Sequence, residues 1–234
     1  MRSVCLLRWR AASDECSERD PVACLPVNAG RVLDRAVKAL KASPSLDHWQ
    51  RGRERIEAED LLEHVVGEEL DRDDDVSQKQ RRRFEALVDR RVEGEPIPYI
   101  KGYSEFLGLE LLARPGVFVP RDSSEWLATQ AIRRLSRRRK PIAIDLATGG
   151  GTIAIAIADR VPKAKVYGSD LSEDAVALAR KNAKRLSVSA SFLAGDLFDG
   201  LPKKIAGRVP ANAAAAARNG VDWYQRAMSA GSCR

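Results

Sequence analysis

The sequence predicts an α/β protein: an N-terminal helical domain, a β-hairpin linker, then a partial parallel sheet of three strands with a divergent helical tail. Three observations carry this. First, alternating apolar residues Ile142, Ile144 and Leu146 run into the glycine-rich turn AIDLATGGG (143–151), which feeds a helix over Thr152 to Arg160. Second, the pattern repeats: a strand over Ala164 to Ser169 ends in Asp170, a helix spans Glu173 to Leu186, and a third strand spans Ala190 to Ala194. Third, the preceding segment carries helical apolar stripes and then proline- and glycine-punctuated β-prone runs.

The helical domain rests on three stripes. From Gly30, Val32, Leu33, Ala36, Val37 and Leu40 share one face, and Pro44 ends the run. A second helix, Ala58 to Val66, carries Leu61, Leu62, Val65 and Val66 and gives way to the acidic segment Glu68 to Asp75. Ser77 is placed to cap a third helix, Gln78 to Val92, with Phe84, Leu87 and Val88 inward. His64 sits beside apolar positions and reads as a half-buried structural histidine, not a ligand.

Between Glu95 and Trp126, Pro96 and Pro98 rule out helix on this reading, so a β-hairpin is expected there. Ser123 or Ser124 is expected to cap a helix over Glu125 to Leu135. The basic run Arg137 to Lys140 reads as a solvated helix end, favoured by the negative pole of the helix, more readily than as an RNA contact. The segments implied are 1–28, a poorly ordered extension; 29–94, the helical domain; 95–141, the hairpin and linker helix; 142–209, the partial sheet; and 210–234, an Ala-rich tail. In that tail Ala211 to Arg218 favours helix, and Trp223, Tyr224 and Met228 offer an apolar patch.

Composition bounds the function. A chain of 234 residues is long enough for one or two cores. No apolar run approaches the ~20 residues of a membrane span, and Arg8 and Arg10 interrupt the N-terminal apolar segment too early for a secretory signal. Cys5, Cys16, Cys24 and Cys233 lack metal-type spacing, so no metal is expected and a reduced, cytoplasmic setting is. Of the net charge of +7, much lies in Leu201 to Arg234, where six Lys or Arg face the single acid Asp222. So local an excess argues weakly for nucleic acid, and direct nucleic-acid binding is not expected.

The glycine-rich turn discriminates between ligands. A dinucleotide site wants G-x-G-x-x-G, and counted from Ala147 the third glycine would fall on Thr152, so that pattern fails. Asp145, Ala147, Gly149 and Gly151 instead fit an acid followed by small residues at every second position. That resembles the D-x-G-x-G-x-G loop of class I S-adenosylmethionine-dependent methyltransferases, with Ala147 in place of its first glycine. Asp170, ending the second strand, is placed to accept both hydroxyls of a ribose.

Three blocks, in order, resemble the release factor glutamine methyltransferase family. RIEAEDLLEHVVG (55–67) is similar to its D-x-E-x-L-L-x-H block. GEPIPYIKGYSEFLGLEL followed by VFVPRDSSE resembles EPxQYIxGxxEFxGLxF and LIPRPETE. The third block runs from Asp145 through Asp170 to GDLFDGLP (195–202). The resemblance covers about residues 30 to 209 and implies a Rossmann-like methyltransferase sheet, of which these are the first three strands. It implies S-adenosyl-L-methionine as cofactor, with Asp145, Ala147, Thr148, Gly149, Gly150 and Gly151 around its methionine end. Asp170 would hold the ribose, Asp196 and Leu197 would flank the adenine, and Leu171 would also contact the cofactor. It implies a peptide chain release factor as protein substrate.

The departures are specific. PRPETE is replaced by Pro120-Arg121-Asp122-Ser123-Ser124-Glu125, and the family's catalytic Asn-Pro-Pro-Tyr has no counterpart: the sequence contains no Pro-Pro dipeptide. Asn212 and Asn219 lie in an Ala-rich context that does not match it. The sequence therefore reads as truncated before that motif, with no catalytic residue assigned and impaired turnover expected. The first strand is then expected at an exposed sheet edge, in a marginally stable product. Two alternatives stand beside the enzyme: a non-catalytic remnant that binds cofactor or release factor only, and an RNA-binding or RNA-methyltransferase-like protein.

Overall fold

A computed structural model of the chain describes residues 27–46, 52–120, 122–198, 201–202 and 205. The expected N-terminal extension up to residue 26, all four cysteines and the Ala-rich tail lie outside the described residues. The chain divides into two compact units, Met1–Lys101 and Gly102–Arg234.

The first unit is helical. Strand β1 (Val27–Asn28) leads into α1 (Ala29–Ala42), followed by α2 (Glu54–Val66), strand β2 (Asp75–Val76), α3 (Gln78–Val92) and α4 (Ile97–Lys101). The starts of α1 and α3 are chemically marked. The Asn28 side chain accepts from the Arg31 N–H at 3.0 Å. Ser77 and Gln80 form a reciprocal capping box that satisfies two otherwise orphan donors of α3. The inward stripes meet in a core of Leu33, Ala36, Leu40, Leu61, Leu62, Phe84 and Val88. Arg91 is the exception in that core: 2% exposed, its guanidinium forks onto Glu57 at 2.8 and 3.0 Å and donates to the Glu95 carbonyl. A fully engaged fork is what makes a buried arginine tolerable.

Three details depart from expectation: Val27 and Asn28, placed in the poorly ordered extension 1–28, form strand β1 paired with β2. The second helix starts at Glu54, a turn before Ala58. Residues 97–101 are helical despite Pro98. Pro98 is the second residue of α4, where its N–H would have no intrahelical acceptor anyway, and the Pro96 carbonyl accepts from Tyr99 and Ile100 at 2.9 and 3.2 Å. Proline in a first turn is no bar to helix.

His64 is half-buried on α2. Burial, together with the nearby Lys101 and Arg83 cations, holds its pKa below the ordinary 6.5. The unfolded chain therefore takes this proton first. The contribution of His64 to stability is complete above about pH 6.5 and is lost as pH falls through its lowered folded value. Urea midpoints should decline between pH 7.5 and 5.5, and His64→Gln should flatten that decline; equal slopes for both proteins would contradict the assignment.

The second unit opens with hairpin strands β3 (Tyr103–Phe106) and β4 (Leu109–Leu112), in register Tyr103↔Leu112. Helix α5 (Asp122–Ser136) follows, then β5 (Ile142–Leu146), α6 (Thr152–Arg160), β6 (Lys165–Asp170), α7 (Glu173–Arg185) and β7 (Ala190–Ala194). Helix α5 starts earlier than expected, so Ser123 and Ser124 lie in its first turn, not before it. The hairpin belongs to the sheet-bearing unit: Arg114 pairs with Asp174, Arg185 with Glu110, and Arg160 donates to the Leu107 carbonyl.

The sheet is parallel, in order β5-β6-β7. Every residue of α6 from Thr152 to Ala158 is buried, which explains its nearly all-apolar sequence. Ile153, Ile155 and Ile157 join Phe106, Leu111, Val166, Val176 and Phe192 in one core. Among the described residues β5 pairs on one side only, so a strand with buried Ala143 and Leu146 sits at a sheet edge. No helix among them is long and apolar enough to cross a membrane.

Candidate functional site

Glycine-loop cleft and its relatives

The carboxyl ends of β5 and β6 meet in a cleft of about 210 Å³ lined by Ala147, Thr148, Gly149, Thr152, Asp170, Ser172 and Ala175, with Gly116, Val117 and Phe118 arriving from the segment after the hairpin. Open parallel sheets bind ligands at this end, where loops leave the strands and helix N-termini point inward.

Asp170 is the fixed point. Its Oδ2 accepts from the Gly149 N–H at 2.8 Å, and its Oδ1 from the Ser172 N–H at 3.0 Å. The Gly195 N–H bonds its backbone carbonyl at 3.0 Å. Both carboxylate oxygens are thus oriented by rigid backbone, and each keeps accepting capacity toward the cleft. Ser172 also caps α7, accepting from the Ala175 N–H at 3.2 Å, so this stretch is set by the same residue that starts the helix.

The three glycines divide the labour. Gly149, at φ +55°, lines the cleft, and a Cβ there would meet nothing nearer than the Phe118 carbonyl at 3.8 Å. Its missing side chain leaves room for a ligand. A Cβ on Gly151 would lie 2.9 Å from Ala179 Cβ and 3.0 Å from Phe192 Cζ, so this glycine lets α6 start tight against α7 and the sheet. Gly150 faces Leu178, Asn182 and Val117 and presents its carbonyl to the Asn182 amide at 3.0 Å.

Asp145 is buried and does not line the cleft. Its Oδ2 accepts from Thr148 Oγ at 2.7 Å and from the Ala154 N–H at 3.3 Å, pinning the loop to the α6 N-terminus. It shapes the cradle from behind. Leu171 is 77% exposed, Asp196 is exposed, and Leu197 is half-buried with φ +47° and its carbonyl held by Ser169 Oγ at 2.7 Å. These three stand at the ends of β6 and β7 but do not line the cleft. Of the ten residues the sequence suggested, Ala147, Thr148, Gly149 and Asp170 come together there.

Sequence reading missed Val117, Phe118, Thr152, Ser172 and Ala175 as cleft residues. The VFVPR stretch was legible only as a resembling block, since apolar residues carry no chemical signature. Ser172 caps α7, and its backbone role toward Asp170 has no signal in the sequence.

Two parts of the chain have known relatives. Residues 139–209 match a methyltransferase domain family, and residues 32–102 match the PrmC N-terminal domain. The release factor glutamine methyltransferase of Bordetella pertussis is 39% identical over 171 residues, covering 71% of this chain and 61% of that protein. The chain is similar to the release factor glutamine methyltransferase family across both of these parts. The relative from Escherichia coli K12 is 35% identical over 175 residues, covering 72% of this chain and 60% of its own length. That from Rhodopirellula baltica is 39% identical over 158 residues, covering 63% and 53%. The chain thus spans 53–61% of these relatives. S-adenosyl-L-methionine is the cofactor that the sequence resemblance implies.

The cleft suits that cofactor on its own terms. It offers a doubly braced carboxylate for vicinal hydroxyls, an open face at Gly149, and the α6 N-terminus for a carboxylate. Ala147 departs from a glycine pattern yet adopts φ +55°, a conformation that costs an L-residue about 1–2 kcal/mol. Ala147→Gly should relieve that strain, less about 0.4–1 kcal/mol for the freer unfolded chain, leaving stability equal or slightly raised. Gly149→Ala, at the same φ, should lose about 1 kcal/mol and also place a methyl in the cleft. Thermal melts of the two variants check this; Ala147→Gly melting well below the parent would contradict it.

Proposed function

We propose that this chain is the cofactor-holding part of a protein-glutamine methyltransferase that acts on peptide chain release factors in the cytoplasm. The observation that carries the reading is the Asp170 carboxylate, aimed into the cleft by the Gly149 and Ser172 N–H groups. When bound, S-adenosylmethionine supplies an electrophilic methyl on its sulfonium. Asp170 would accept the ribose hydroxyls. The Ala147–Gly149 backbone and the α6 N-terminus would hold the methionine end, and Val117 and Phe118 would shield the cleft from water. Asp145 would keep the loop in shape without touching the cofactor. Leu171, Asp196 and Leu197, at the neighbouring strand ends, are assigned to the cofactor by family resemblance alone, Asp196 and Leu197 to its adenine.

Substrate alignment is a separate task. In the family an Asn side chain and a Pro carbonyl accept from the substrate amide and set its weakly nucleophilic nitrogen in line with the methyl. Such orientation can supply ~7–11 kcal/mol of barrier lowering. The 234 residues here contain no Asn-Pro-Pro-Tyr, so they do not supply those groups. The 234-residue protein should therefore bind the cofactor and leave a release factor, or a peptide carrying its Gly-Gly-Gln loop, unmethylated. Mass spectrometry after incubation with labelled cofactor tests this; robust glutamine alkylation would overturn the division of labour.

A further inference from the structure

Opposite the cleft, at the amino-terminal end of the sheet, the fold assembles a positive surface from segments far apart in sequence. Many of its cations have a folding explanation. Arg133 and Arg134 on α5, Arg160 on α6, and Lys184 and Arg185 on α7 occupy last turns, where the helix dipole favours positive charge. Lys163 donates to the Ser136 carbonyl at 2.8 Å and caps α5.

Five cations are left over. Arg137, Arg138, Arg139 and Lys140 follow the end of α5 and are all exposed. The strand register brings Lys165 beside them: it pairs with Ile142, and its N–H bonds the Pro141 carbonyl at 2.9 Å. Neighbouring strands lie about 4.8 Å apart, so this fifth charge adjoins the run of four. None of the five has a carboxylate within 4.0 Å among the described residues; of the acids near this end, Asp159 is engaged by Arg160 and Glu110 by Arg185, while Glu105 lies across the hairpin from Glu110. Five adjacent like charges repel one another, and beyond the favourable pole of α5 no ion pair among the described residues offsets that repulsion.

The chemistry of the surface selects its partner. Exposed large apolar residues among the described ones are Ile56, Phe118, Trp126, Leu171 and Phe198, and none lies on these segments. A protein interface would want an apolar centre, and a membrane-inserting face would want apolar anchors. An arginine-led patch without either matches the forked geometry of phosphodiester oxygens. We propose that this end of the sheet docks the phosphate backbone of a nucleic acid, leaving the cofactor cleft free at the other end. The linear sequence pointed the other way because it shows four cations, whereas the register adds Lys165 and the ion pairs show which acids are engaged.

The test is fluorescence anisotropy of the full chain with a labelled 20-base-pair RNA hairpin, a DNA duplex of equal length, and phosphatidylglycerol vesicles. With about four phosphates neutralised, affinity should fall on the order of 100-fold between 50 and 200 mM salt. The quadruple variant Arg137→Glu, Arg138→Glu, Arg139→Glu, Lys140→Glu should abolish nucleic-acid binding while its circular dichroism, melt and S-adenosylmethionine affinity stay those of the parent. Arg35→Glu with Lys38→Glu, exposed on α1, should change little. RNA outbinding DNA, or the reverse, identifies the source of the phosphates. Undiminished binding by the quadruple variant would overturn the proposal, placing the contact elsewhere, for example in the basic stretch after Leu201. So would a preference for vesicles lost with the same charges.

Discussion

Asp170→Asn is expected to weaken S-adenosylmethionine binding about 100-fold, measured by equilibrium dialysis of labelled cofactor. The substitution changes little in size but removes an acceptor. Each carboxylate oxygen now takes a backbone N–H, from Gly149 and from Ser172. An amide has one acceptor oxygen, so its NH₂ must face one of those donors, and the group turns or the loop opens. The ribose hydroxyls then lose a charged acceptor as well. Hydrogen bonds to charged groups contribute about 1.5–3 kcal/mol each, and about 2.7 kcal/mol is a hundredfold. A small fall in melting temperature should accompany the loss. Parent-like affinity in a folded Asp170→Asn protein would show that the ribose is held elsewhere.

Asn182→Leu should be the more damaging change to the fold, costing about 3 kcal/mol or more and on the order of 10 °C in melting temperature. Asn182 is 1% exposed on α7. Its Oδ1 accepts from the Leu112 N–H at 2.8 Å; its Nδ2 donates to the Leu112 carbonyl at 3.2 Å and to the Gly150 carbonyl at 3.0 Å. One side chain thus engages both backbone groups of the last hairpin residue, as a neighbouring strand would, and reaches the glycine loop as well. Leucine fills similar space but strands those groups, at about 1–3 kcal/mol for each left buried and unpaired. Asn182→Asp should also destabilise, since a carboxylate would face two carbonyls without a proton to give. Because Val117 and Phe118 follow this anchor and line the cleft, cofactor affinity should fall in both variants. An Asn182→Leu melt within 1 kcal/mol of the parent would mean that the hairpin is held by its ion pairs instead.

The regular part of the sheet unit was readable because periodicity and punctuation agreed. Ile142, Ile144 and Leu146 mark β5, Ser172 with Glu173 and Asp174 marks the start of α7, and Gly149 to Gly151 mark the turn between strand and helix. What stayed hidden was the use of groups by partners distant in sequence. The glycines look alike in a string, yet Gly149 faces a ligand space and Gly151 faces Ala179 and Phe192. Asn182 is a lone amide on the α7 face otherwise built from Ala175, Leu178 and Ala179. That oddity was visible in the sequence, but its partner Leu112, seventy positions earlier, was not. Helix α4 is hidden for a different reason: proline breaks a helix interior but is tolerated in the first turn, where Pro98 lies.

The central claim is that the loop before Thr152 and the carboxylate of Asp170 form a site for S-adenosylmethionine in this 234-residue chain. Isothermal titration of S-adenosylmethionine into the protein, with circular dichroism confirming that it is folded, tests this most directly. Saturable one-site heat that disappears in Asp170→Asn is the predicted result. No heat up to millimolar cofactor from folded protein would contradict it.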